Sequence, residues 1–346
     1  MTDARQTCSP RDTGEHRTRR VKPWVRWLVA LRMPVILAAL VIASTVVTHG
    51  QFAGLDNLIN VLRQVSFEAL IAFGMTLVIV TGGIDLSVGS LVAFTGVVAA
   101  VVMRAMADAA PALAIAAGMA CGILAGGGIG AASGAIVARF CIPPFIVTLA
   151  AMLVARGFAF ILCNGQPVYE LPEQLRWLGR GFVLESALGR LIPVPVLIML
   201  IVCAAATVLL SRTVFGRGVI AVGSNEEAAR LAGIAVRRTK LAVYVITGAL
   251  AGLAGVLHLG KLMAGDPKVG EMWELNVIAA VVVGGTSLFG GRGSVPDTLV
   301  GALIIGVLNN SLNLLHVEHF WQKVVLGGVI LAASLVDAGL RRLDLR

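Results

Sequence analysis

Charge is what this sequence has least of. Asp, Glu, Lys and Arg together make up 14% of its 346 residues, against about 25% in a soluble domain. A chain so poor in charge cannot cover a globular surface with solvated groups, which argues against an ordinary soluble enzyme. Cysteine is scarce too. Cys8, Cys121, Cys141, Cys163 and Cys203 are scattered and odd in number, so neither a disulfide framework nor a CxxC metal spacing follows from them. The histidines (His16, His49, His258, His316 and His319) share no metal-ligand spacing, and the last two sit at a span boundary beside Phe320 and Trp321. There is no GxxxxGK[ST] loop to cradle phosphates, no GxSxG and no HExxH. We therefore expect no metal site, no catalytic residue and no cofactor in this chain.

What fills the space is apolar. Hydrophobic residues make up 58% and the mean hydropathy is +0.90. Glycine occurs 40 times, an excess that suits closely packed membrane helices. Ten apolar spans are expected at about 28–48, 61–81, 86–105, 111–138, 143–162, 191–210, 241–260, 274–290, 295–315 and 321–338. The expected fold class is all-α: a polytopic membrane protein with about ten transmembrane helices. The spans bound by Gly82, Gly83 and Gly89, and by Gly284, Gly285, Gly290 and Gly291, end either in tight turns or in broken, re-entrant segments. The two motifs, GGIDLSVGS and GGTSLFGGRGS, form a faint internal echo.

Net charge is +9, but the cations flank the apolar spans rather than sharing one face, so nucleic acid is not an expected partner. With the N-terminus inside, 19 of the 28 Lys and Arg fall in inner segments and 8 in outer ones. The positive-inside rule then puts both termini in the cytoplasm. Residues 1–27 read as a basic, disordered N-terminal segment and 28–340 as the membrane domain. Segment 211–240 reads as its cytoplasmic loop and 341–346 as a cytoplasmic tail. The mixed-charge stretch 163–190 lies outside, either as a docking surface or as a folded cap.

Within 211–240, the run from Asn225, Glu226 and Glu227 through Ala228, Ala229, Arg230, Leu231 and Ala232 to Gly233 is a short polar helix between long apolar ones. Ser224 is expected to cap it, with Glu227 completing a Ser-x-x-Glu capping box. About eight residues make a rod of roughly 12 Å, too short to span a bilayer. Its alanine face suits close approach of another protein's backbone; the plainer reading is a capped surface helix. Glu68, Asp85 and Arg156 are the main charges inside spans. The first and last are expected to pair between helices, and Asp85 to cap the helix that follows it.

Five ordered blocks carry a resemblance: GGIDLSVGSLVAFTG (82–96), IPPFIVTLAAMLVARG (142–157), FGRGVIAVGSNEEAARLAGIAV (215–236), ELNVIAAVVVGGTSLFGGRGSV (274–295) and GALIIGVLNNSLNLL (301–315). From about residue 60 onward the chain resembles the permease subunits of ribose- and monosaccharide-type ABC importers; the branched-chain amino-acid permeases are more distant. The resemblance implies a homodimeric permease of a bacterial inner membrane, in contact with lipid. It would dock ABC ATPase subunits inside and receive sugar from a periplasmic binding protein outside. It makes residues 226–233 the coupling helix. Asp297 and Ser311 stand where the family pattern has glycine, and Asp297 is a candidate N-cap. For the sugar path, the amides of Asn309, Asn310 and Asn313 offer donors and acceptors to hydroxyls, with Phe145 and Thr148 as weaker candidates; interhelical bonding is the alternative use. The other function classes are an ion-coupled carrier, a permease for another small polar solute and a non-transporting scaffold.

Overall fold

The computed structural model describes residues 23–186 and 189–344. The helices are α1 (Pro23–Val47), α2 (Leu55–Val80), α3 (Val88–Ala105), α4 (Pro111–Phe140), α5 (Pro144–Leu162), α6 (Leu175–Arg180), α7 (Val194–Arg212), α8 (Val214–Ser224), α9 (Glu226–Leu231), α10 (Val236–Leu262), α11 (Trp273–Val283), α12 (Val295–Leu314) and α13 (His319–Asp344). One antiparallel hairpin, β1 (Phe182–Ser186) with β2 (Gly189–Pro193), is added between α6 and α7. The chain is an all-α polytopic membrane protein.

Each expected span falls on a helix. Among the described residues, α2, α3, α4, α5, α7, α10 and α12 are both long and apolar enough to cross a membrane. The expected spans 28–48, 274–290 and 321–338 correspond to α1, α11 and α13, whose described apolar stretches are shorter. α11 has 11 residues, about 16 Å of helix and roughly half a hydrocarbon core. The rest of that expected span, from Gly284, is irregular chain. Most of the 1–27 segment lies outside the described residues, but α1 already starts at Pro23, inside the stretch expected to be disordered.

Proline sets several helix starts. Pro111, Pro144 and Pro195 occupy the first turns of α4, α5 and α7, where the missing N–H costs no helix bond. α2 is the hub. Every residue from Ala69 to Val80 is buried, and a helix apolar all round belongs in a core. α10 crosses α4 through glycines: a Cβ on Gly126 would meet the Gly248 carbonyl, and one on Gly130 the Tyr244 carbonyl. Backbones come that close only where side chains are absent. The outer rows of α5, such as Phe145, Leu153 and Phe158, are apolar and exposed, as a lipid-facing surface requires.

Segment 163–190 is folded against the bundle. Gly179 of α6 lies on the Gly260–Lys261 backbone, the Arg180 Nε donates to the Lys261 carbonyl at 2.5 Å, and Val168 bridges Gly265.

Candidate functional site

Two helices, not one, fill the stretch between α7 and α10. Thr213 caps α8, its hydroxyl accepting from Gly216 N–H at 3.1 Å. α8 then runs through Ser224, whose hydroxyl donates to the Ile220 carbonyl at 2.8 Å. Ser224 therefore belongs to the preceding helix and does not cap α9. Asn225 does: it is extended (φ −160°, ψ 107°) and its Oδ1 accepts from Ala228 N–H at 2.9 Å. Asn and Ser are comparable N-caps; the backbone decides, because only Asn225 has left helical geometry. Glu227 makes no capping box and instead pairs with Arg230 at 3.3 Å on the exposed face.

The far end closes as the sequence predicts. Gly233 has φ +82°, its N–H donates to Arg230 O at 3.1 Å, and Ile234 N–H donates to Ala229 O at 3.0 Å. This is a Schellman motif, with the left-handed residue that favours glycine. The helix has six residues, Glu226–Leu231, two fewer than expected.

The alanine face is not uniform. Ala228 and Ala232 are exposed, but Ala229 is buried against Val222 and Val236 of its own chain. Glu226 is tied to Lys240 of α10 at 2.7 Å. α9 is thus held by its inward face and both ends. What it presents outward is Leu231, 82% exposed, an apolar group on an otherwise polar rim. A cleft of about 660 Å³ opens beside it, lined by Cys141, Glu226, Arg230, Arg237 and Arg238 among others.

The two glycine motifs meet beneath this unit. A Cβ on Gly223, near the end of α8, would run into the Val80 carbonyl at the end of α2. Gly291 (φ +75°) donates its N–H to that carbonyl at 2.9 Å. Gly290, also left-handed, packs where a Cβ would sit 2.8 Å from Gly223 O and 3.0 Å from Gly82 N. Gly83 lies under the Tyr244 hydroxyl, Gly89 against the Gly270 carbonyl and Gly284 against Asp297 O, while Gly285 turns the chain after α11. Gly223 was not singled out from the sequence; it stands alone in an apolar run and carries no motif.

The five path candidates are not gathered in one place. α5 packs on α3 and α4, whereas α12 packs on α1, α2, α7, α11 and α13. Thr148 is fully buried and holds the 84–86 loop, accepting from Leu86 N–H at 3.1 Å and donating to Ile84 O at 3.2 Å. Phe145 lies in the exposed apolar row of α5. Asn310 forms a reciprocal amide pair with Asn57 of α2, both bonds at 3.0 Å. Asn313 accepts from Gln322 at 2.8 Å. Asn309 is partly exposed and makes no side-chain hydrogen bond among the described residues.

The expected Glu68–Arg156 pair does not form. Glu68 accepts from Asn276 at 3.4 Å, and Arg156 donates to the carbonyls of Pro267 and Val269 at 2.6 and 2.8 Å. Arg156 pins the loop before α11, because three successive carbonyl-bearing turns there need donors in a low-dielectric place. Asp85 accepts from Ser87 N–H and Oγ at 2.9 and 2.6 Å, fixing the turn before α3, which starts at Val88. Asp297 is not an N-cap. Ser294 caps α12 and Asp297 sits three residues in, at the positive end of the helix dipole. Ser311 bonds Ser44 of α1 at 2.7 Å, a bond between helices that glycine cannot make.

The sequence profile of the family described as "Branched-chain amino acid transport system / permease component" matches residues 57–334. The Ribose import permease protein RbsC of Escherichia coli (strain K12) is 45% identical over 316 residues, covering 90% of this chain and 94% of that protein. Its namesake from Bacillus subtilis (strain 168) is 45% identical over 283 residues, 81% of this chain and 84% of the relative. The L-arabinose ABC transporter permease protein AraH of Azospirillum brasilense is 40% identical over 312 residues, 90% and 88% of the two chains. No solved structure matches. Matched over most of its length and across nearly all of these relatives, the chain belongs to the family of transport-system permease components.

Proposed function

We propose that this chain is the membrane permease of an ATP-driven, binding-protein-dependent importer for a monosaccharide, placed in a bacterial inner membrane. Relatives named for ribose, arabinose, allose and xylose support the substrate class. The observation that carries the mechanism is α9: capped at both ends, buried on one side through Ala229, and bare at Leu231. A short rigid rod with an exposed apolar tip suits insertion into a cleft of a partner ATPase. An apolar anchor in a desolvated pocket is the usual source of binding energy at such a contact.

In this reading ATP is bound and split by the partner, and the permease holds no nucleotide or other cofactor. Both termini and the α8–α9 unit face the cytoplasm. Two copies of the permease enclose the path, and a sugar-loaded binding protein docks on the opposite, α6-and-hairpin end. Closure of the ATPase pair pushes α9. Because α8 meets the end of α2 and the 284–294 loop by backbone contact at Gly223, with no flexible side chain between, the push reaches the helices of the path without being absorbed.

The test is reconstitution. In proteoliposomes the permease with its ATPase and binding protein takes up sugar only when ATP is hydrolysed. Uptake by the permease alone, driven by a proton or sodium gradient, would overturn the reading.

A further inference from the structure

Resting on that reading, the inference here concerns where sugar enters the membrane. Asn60, Gln64 and Glu68 are spaced four apart on the half of α2 nearest the α6-and-hairpin end. Four-residue spacing puts them on one face. The first two are exposed and Glu68 is partly so, whereas Ala72 and Thr76, next in the same row, are buried. A polar row ending in a carboxylate inside an apolar helix does not face lipid; such groups face a bundle interior or a water-filled cavity.

Glu68 is also under-used. Its one hydrogen bond among the described residues is the 3.4 Å contact from Asn276 of α11, and a carboxylate has about four acceptor positions. Trp273, three residues before Asn276 and partly exposed, adds an aromatic surface. Cations gather around the group without carboxylate partners of their own. The Lys261 Nζ lies 5.3 Å from the Phe67 ring centroid, and the Arg63 guanidinium 5.0 Å from the Phe182 ring centroid. The Arg63 Nε is buried with no hydrogen-bond partner among the described residues.

We infer that Asn60, Gln64 and Glu68 of α2, with Asn276 and Trp273 of α11, line the entry half of the translocation path and bind the hydroxyls of a neutral sugar at Glu68. The chemistry selects a polyol over an ion. Carboxylate and amides take and give hydrogen bonds, an aromatic ring covers C–H faces, and nearby cations offset the carboxylate's charge.

The experiment uses the assembled importer in proteoliposomes, with the native cysteines replaced. Gln64→Cys is expected to react with a membrane-impermeant maleimide added on the binding-protein side. Gln64→Trp, at an exposed position, and Glu68→Leu are each expected to cut uptake at least about tenfold, the scale of one lost hydrogen bond to a charged group. Complex assembly and ATP hydrolysis stimulated by the loaded binding protein are expected to persist. Glu68→Gln recovers part of the uptake. An unlabelled Gln64→Cys, or Gln64→Trp with wild-type uptake, overturns the inference. If the unmutated complex itself takes up no sugar, the importer reading fails instead.

Discussion

The Gly291 N–H donates to the Val80 carbonyl at 2.9 Å, and Gly223 lies against the same oxygen from the other side. One carbonyl at the end of α2 thus joins the two glycine motifs to the α8–α9 unit. Any side chain placed there has to move backbone, because the atoms it meets belong to no flexible group.

Gly223→Ala is expected to destabilise the permease by about 1–3 kcal/mol, the usual range for overpacking. Thermal unfolding of the purified protein measures this. Uptake per assembled complex is expected to fall as well, since the substitution splits α8 from α2. A Gly223→Ala protein with unchanged melting temperature and uptake would remove the joint from the mechanism.

The cap of α9 separates two neighbours. Asn225→Ala is expected to cost about 1 kcal/mol locally, whereas Ser224→Ala loses a surface hydroxyl bond within α8 and is near neutral. Hydrogen exchange over 226–234 reads the difference. Faster exchange in Ser224→Ala than in Asn225→Ala would restore serine as the cap.

Leu231 and Ala229 are expected to behave oppositely. Leu231→Asp alters an exposed residue, so folding stays within about 0.5 kcal/mol of wild type, while co-purification of the ATPase is lost. Ala229→Trp strains the contact with Val222 and Val236 and lowers stability before any partner is added. Retained ATPase binding by a folded Leu231→Asp permease would show that α9 docks by another surface.

Asn57 and Asn310 are expected to be coupled. Each single alanine variant leaves the other amide unpaired, so the two costs are not additive, with an interaction energy of about 0.5–3 kcal/mol in a double-mutant cycle. Additive losses would mean the pair is not maintained and would return Asn310 to the list of groups free to meet sugar.

Much of this protein is legible in the sequence alone. Apolar runs near 20 residues, prolines at helix starts and the Gly233 stop place the helices, because length, capping and left-handed backbone are local requirements. The coupling segment is visible for the same reason: a short polar helix between long apolar ones is a composition signal. Other features belong to tertiary structure. Whether Ser224 or Asn225 caps α9 depended on how far α8 extends. Whether Ala229 faces a partner or its own chain depended on Val222 and Val236. Glu68 and Arg156, opposite charges in neighbouring spans, went to an amide and to two carbonyls, because contact in the fold and not sign of charge chooses the partner. Gly223 shows the limit most plainly: a glycine matters by what lies across from it, and no neighbour in the sequence says that this one faces the end of α2.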